Sequence, residues 1–186
     1  MFEFEYSVRA LILLRPDRNP TVNHHASTPR ISWDTFECSI PAAPAALRAL
    51  GKAVDDSGLD KCLTELIKLR VSQINGCAYC IQYHLNQARR QGVPDHQLDL
   101  VAAWRDAGAF TVRECAALAW AEALTGMAGS HVPDSAYDTL QSLFQEVEIV
   151  ALTTAIATIN AWNRIAGTLR FTPPIPSQAH ASGSAA

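Results

Sequence analysis

No run of about 18 consecutive apolar residues occurs in this chain, so it offers no helix of the kind that crosses a bilayer. Strand signals are missing as well. No segment of useful length alternates with period two, and no β-branched run sits between hairpin turns, which argues against sheet folds. Basic residues are few and scattered: 15 Lys and Arg against 18 Asp and Glu leave a net charge of −3 and no basic helical face, which argues against nucleic acid as a partner. The opening MFEFEYSVRALILLRP lacks the basic start and long apolar stretch of a secretion signal. With five cysteines, an odd number, the expectation is a soluble cytoplasmic protein with reduced thiols rather than a disulfide framework. A second closely spaced cysteine pair is also missing, which weakens any structural zinc reading.

What is present is helical periodicity over a chain that is 48% hydrophobic, enough for the core of one domain. Residues 1 to about 40 are punctuated by Pro16, Pro20, Pro29 and Pro41 and read as irregular. Residues 1–30 are expected as an irregular arm, with His24-His25 read as an exposed loop pair. The helical domain is expected over 31–172, and 173–186 as a disordered tail. About seven helices are expected. They run from Pro44 to Val54, from Leu59 to Ile74, from the Cys77 region to Gly92, and from Pro94 to just before Gly108. The remaining three run from Thr111 to Gly126, where Thr111 and Glu114 spell a capping box, from Pro133 to Phe144, and from Glu146 to Leu169. The last is apolar on most faces and is expected at the centre, stopped by Pro173-Pro174.

The stretch ELIKLRVSQINGCAYCIQYH, Glu65 to His84, carries the chemistry. Asn75-Gly76 interrupts a helical apolar run, because both residues tolerate the left-handed conformation that ends helices. A new helix then starts near Cys77, where its free N–H groups favour thiolate over thiol. On that helix Cys77, Cys80 and His84 fall within roughly 60° of arc, on one face. Cα atoms three residues apart on a helix are about 5 to 5.5 Å from each other, inside the range a disulfide accepts, so the pair can cycle between dithiol and disulfide without unfolding. With no βαβ framework around it, this C-x-x-C belongs to an all-helical redox fold.

A glutamate, eleven residues, C-x-x-C, three residues and a histidine, here Glu65, Cys77-Ala78-Tyr79-Cys80 and His84, resembles the AhpD-like alkylhydroperoxidases of the carboxymuconolactone decarboxylase family. The wording LIKLRVSQINGCAYCIQYH and the later AIATINAWNR are similar to family usage, and the resemblance covers about residues 30–172. It implies an all-α bundle, a trimer or hexamer, and reduction of hydroperoxides with electrons from a lipoyl- or thioredoxin-type dithiol donor, without metal or organic cofactor. By position, the resemblance makes Cys80 the peroxidatic cysteine, Cys77 the resolving one, and His84 with Glu65 the proton relay. Cys77, nearer the helix start, is expected to be the more exposed sulfur and the one the donor attacks. The best-studied branch has a second histidine between the cysteines; Tyr79 stands there in this chain and cannot act as a base near neutral pH, which implies a shorter relay and a weaker peroxidase.

Other readings of the same residues stay open. The pair can serve a disulfide reductase or redox sensor; the fold can serve a lactone decarboxylase, which needs no cysteine pair; or Cys77, Cys80 and His84, with Glu65 or Cys62, can bind zinc in an assembly protein. Glu65 can be one member of a solvated ladder with Lys61 and Lys68. Tyr79 and Tyr83, one turn apart, read as packing or subunit-contact residues, with Tyr79 a secondary candidate that can donate a hydrogen bond to a thiolate. Trp104, Trp120 and Trp162 read as packing aromatics, and Cys38, Cys62 and Cys115 as structural thiols. Asn160, Asn163 and Arg164 either cap neighbouring helices or line the site.

Overall fold

The computed structural model describes residues 28–176; residues 1–27 of the expected arm, with the His24-His25 pair, and residues 177–186 of the expected tail lie outside the described residues. Among the described residues every regular element is helical. The elements are α1 (Trp33–Ser39), α2 (Ala42–Asp56), α3 (Lys61–Ile74), α4 (Ala78–Gln91), α5 (Asp95–Leu100), α6 (Trp104–Ala107), α7 (Val112–Gly126), α8 (Asp134–Gln141) and α9 (Glu146–Leu169). None of the described helices is long and apolar enough to cross a membrane.

Local chemistry accounts for the ends of these helices. Asp60 caps α3 by accepting the Leu63 N–H, and Thr111 with Glu114 forms the expected reciprocal box at the start of α7. The last helix has the expected bounds, but it ends differently: Arg170 in the left-handed region lets Phe171 N–H return to Ala166, before Pro173 is reached. Two further departures have physical causes. Residues 33–39, read as irregular, form α1, capped by Ser32 and held by Phe36, which packs on Phe171 from the far end of the chain. The expected helix between Pro94 and Gly108 is broken into α5, a 3-10 turn at Val101–Ala103 and α6, so that Leu98, Val101 and Trp104 all turn inward.

Helix α3 lies at the centre together with α9. Leu63, Ile67 and Val71 face one apolar cluster shared with α7 and α9, while Leu66 and Leu69 face a second one shared with Ala88, Leu98 and Trp104. Burial on both sides fixes the rotation of α3 about its axis, and therefore where Glu65 points. A clamp ties this helix to α7: the Glu122 carboxylate accepts from Arg70 at 2.7 Å, Arg105 at 2.6 Å and the Trp104 indole at 3.0 Å. Burial pushes that carboxyl up, yet these three donors and the Arg70 charge together hold it below the ordinary range.

Candidate active site

The Asn75-Gly76 pair delivers Cys77 by a hydrogen-bonded helix stop. Gly76, at φ +65°, is the left-handed residue; its N–H returns to Gln73, and the Cys77 N–H returns to the Ser72 carbonyl at 3.1 Å. Asn75 reinforces the stop by donating to both Asn160 and Asn163 of α9 at 2.9 Å, and Asn163 donates to Ser72. These α9 asparagines therefore secure the end of α3 and do not line the cavity at Cys80. Cys77 is then the N-cap of α4, its Sγ accepting the Cys80 N–H at 3.2 Å.

Cys77 and Cys80 are joined as a disulfide, with Cα atoms 5.3 Å apart as the helical spacing requires. Their relative exposure is not as expected. Cys77 is 1% exposed and Cys80 3%, and it is Cys80, not Cys77, that lines a cavity. Helix α9 lies against Cys77: a Cβ added at Gly167 would be in ordinary van der Waals contact with it, 3.8 Å from the Cys77 Cβ.

His84, one turn after Cys80, opens on the same cavity, and its Nδ1 is 2.7 Å from Glu65 Oε2. Each of the two is 8% exposed. The other Glu65 oxygen accepts from Lys68 Nζ at 2.9 Å, whereas Lys61 turns to Asp55. Glu65 is thus a buried hydrogen-bond partner and not a rung of a solvated ladder. Burial pushes its carboxyl up, but the His84 hydrogen bond, the attraction of His84 and that of Lys68 outweigh this and hold it below the ordinary carboxylate value. An ionised carboxylate on Nδ1 orients the imidazole and leaves Nε2 as the ring nitrogen available for proton exchange.

The cavity, about 270 Å³, is walled mainly by aromatic rings. Tyr79 stacks between Trp33 and Tyr83, with centroids 6.0 and 6.2 Å away, and meets Phe171 edge-on. Burial, with lesser help from Tyr83 and Glu37 and against Arg48, pushes the Tyr79 phenol up, so it stays neutral at this wall. Trp162, expected only to pack, is a cavity wall together with Ile159 and Ala166. Trp104 and Trp120 are core residues. Trp33 and Arg48 also line the cavity and were missed by sequence reasoning, since they come from α1 and α2 with no motif to mark them.

Cys38 is exposed; Cys62 and Cys115 are half-buried, and burial pushes both of those thiols up, away from thiolate character. Among the described residues, no three His, Cys, Asp or Glu side chains are grouped so as to hold a metal ion.

Known proteins resemble this chain in sequence and fold. Residues 41–123 match the model of the carboxymuconolactone decarboxylase family. The uncharacterized Bacillus subtilis protein YdfG is 34% identical over 125 residues, spanning 67% of this chain and 85% of that protein. A crystal structure of an Agrobacterium tumefaciens protein of unknown function, proposed to be the antioxidant defence protein AhpD, is 39% identical, covers 80% of this chain and 100% of its own, and superposes with a TM-score of 0.75. An uncharacterized peroxidase-related protein from Ralstonia eutropha, described as an alkylhydroperoxidase AhpD core, shares the fold at 24% identity and a TM-score of 0.66, over 75% of this chain and 74% of that one. The chain belongs to the carboxymuconolactone decarboxylase family, in its AhpD-like form.

Proposed function

We propose that this protein is a thiol-dependent hydroperoxide reductase working through a Cys77/Cys80 dithiol–disulfide cycle. The observation that carries this reading is the shared cavity: Cys80 of a redox pair and His84 of a carboxylate–imidazole pair open on one apolar space.

In the reduced protein His84, directly or through a water, takes the Cys80 proton, while Glu65 holds the ring. The Cys80 thiolate attacks the terminal peroxide oxygen, the O–O bond breaks, the alkoxide takes the proton and leaves as alcohol, and Cys80 becomes a sulfenic acid. The Cys77 sulfur displaces hydroxide from Cys80, released as water, and the disulfide forms. A dithiol of lipoyl or thioredoxin type then returns two electrons. Burial of Cys77 argues that the donor thiolate attacks Cys80, which makes Cys77 the leaving thiolate. That departure is favoured because Cys77 Sγ caps α4 and keeps the Cys80 N–H as its donor, and a stabilised thiolate leaves faster.

Because the chemistry uses the cysteine pair, it is preferred to the lactone decarboxylation that the family name records. Assembly into trimers or hexamers belongs to the same proposal. Steady-state oxidation of a dithiol by cumene hydroperoxide tests it. Turnover that requires both cysteines supports the reading. Thiol exchange with protein disulfides but no hydroperoxide turnover replaces it with the reductase reading, and turnover retained by Cys80→Ser removes Cys80 as the nucleophile.

A further inference from the structure

The cavity beside Cys80 and a neighbouring one of about 150 Å³ have Arg48, Tyr83, His84, Ile159 and Trp162 in common, so the two adjoin at these side chains. The fixed charges that line these two cavities are cationic: Arg48 borders both and Lys68 the second. Their carboxylate partners, Glu37 and Glu65, line neither of the two; Glu65 lines a third cavity with Asp55, Lys68, Tyr83 and His84, which Arg48 does not line. Lys68 is occupied by Glu65 at 2.9 Å. Arg48 is different. Only one of its nitrogens is bonded, to Glu37, and among the described residues its Nε and other Nη make no hydrogen bond.

The guanidinium is also held in position. It lies 5.6 Å from the centroid of Trp33, and the Trp33 indole donates to the second oxygen of Glu37 at 3.2 Å. A planar fork with free donors at the edge of an apolar space is suited to a carboxylate. The rings of Trp33, Tyr79 and Trp162, which line the cavity together with that fork and Cys80, suit an apolar body and give water or hydrogen peroxide little to bind.

We infer that the site takes an amphipathic organic hydroperoxide bearing a carboxylate, with the hydroperoxide at Cys80 and the carboxylate on Arg48. This rests on the peroxidase reading and adds a substrate class and a specificity residue to it. No bond to Arg48 is made or broken; the carboxylate accepts from Nε and Nη while the O–O bond is reduced at the other end.

The test compares para-carboxy cumene hydroperoxide with its methyl ester, which differ only in the charge. Wild-type protein favours the acid in kcat/KM by about fivefold, below what a fully desolvated pair gives because Arg48 is half exposed. The preference shrinks with added salt. Arg48→Gln brings the acid-to-ester ratio to near one, and Glu37→Gln, which frees the guanidinium of its own carboxylate, keeps or raises it. A readout without turnover is quenching of tryptophan fluorescence in the oxidised protein by para-isopropylbenzoate and by its methyl ester. It should show the same preference for the acid and the same dependence on Arg48. If both hydroperoxides are turned over with equal kcat/KM, the carboxylate subsite is wrong and the peroxidase reading stands. If neither is turned over but para-isopropylbenzoate binds through Arg48, the peroxidase reading falls and the subsite stands. If para-isopropylbenzoate and its ester bind equally, the subsite is wrong whatever the kinetics.

Discussion

Replacing Glu65 by glutamine isolates the charge of the buried carboxylate while keeping its shape. The carboxylate accepts on both oxygens, from His84 at 2.7 Å and from Lys68 at 2.9 Å. An amide can accept from only one of them. If its oxygen faces His84, its NH₂ group points at the Lys68 ammonium; if it is flipped, it donates to Nδ1 and forces the proton onto Nε2, the nitrogen that must accept one. The first arrangement leaves one buried donor facing another, and the second satisfies both contacts only by holding the imidazole in the wrong tautomer. The loss of one charge-assisted hydrogen bond in this setting costs about 2 to 3 kcal/mol, which for a domain of this size lowers Tm by about 5 to 10 °C. Hydroperoxide turnover should fall by about 10²-fold, because the imidazole is no longer held in the accepting tautomer. The pH dependence has a defined sign. The folded-state value of Glu65 lies below the unfolded one, so its stabilisation is complete above the ordinary carboxylate pKa and is lost as pH falls through the folded value. The wild-type advantage in thermal melts over Glu65→Gln should therefore narrow on the acid side of about pH 4.3 and persist above it. Turnover within about twofold of wild type, with Tm within about 1 °C, would refute the reasoning.

Two further outcomes follow from the geometry. In Cys77→Ser, one equivalent of hydroperoxide should leave a dimedone-reactive sulfenic acid on Cys80, and in Cys80→Ser none on Cys77; labelling on residue 77 in peptide mass spectra would reverse the assigned roles. Leu152→Ala empties a site on α9 that is fully buried in the cluster reaching Cys77 and Cys80, and should cost about 2 to 5 kcal/mol in urea unfolding; a cost under about 1 kcal/mol would mean that α9 does not brace the site.

Much of this molecule is written locally in its sequence. Asn75-Gly76 announces a helix stop, the Thr111/Glu114 box a helix start, and the spacing of Cys77, Cys80 and His84 one helix with Cys77 at its cap, and each is closed by local hydrogen bonds, with α9 reinforcing the first. Glu65 could be proposed as the partner of His84 only by resemblance, because their meeting depends on how α3 and α4 pack, 19 residues apart in the chain. What stayed hidden is tertiary. Helix α1 has one buried residue, Phe36, and its apolar face becomes useful only when Phe171 and Tyr79 are beside Trp33. Trp33 and Arg48 reach the cavity from elements with no spacing relation to the motif. Cys77 looks exposed from its place at a helix start and is covered by Gly167 of α9, some ninety residues later; no pattern around position 77 carries that contact.

The central claim is tested most directly by thiol counting on the fully reduced protein, mixed with one equivalent of an organic hydroperoxide and quenched within seconds. The expected result is the loss of two of the five thiols, mapped to a Cys77–Cys80 disulfide, with Cys38, Cys62 and Cys115 still free and one equivalent of alcohol formed. Five thiols remaining beside unreacted hydroperoxide, or oxidation falling on the other three cysteines, would contradict it.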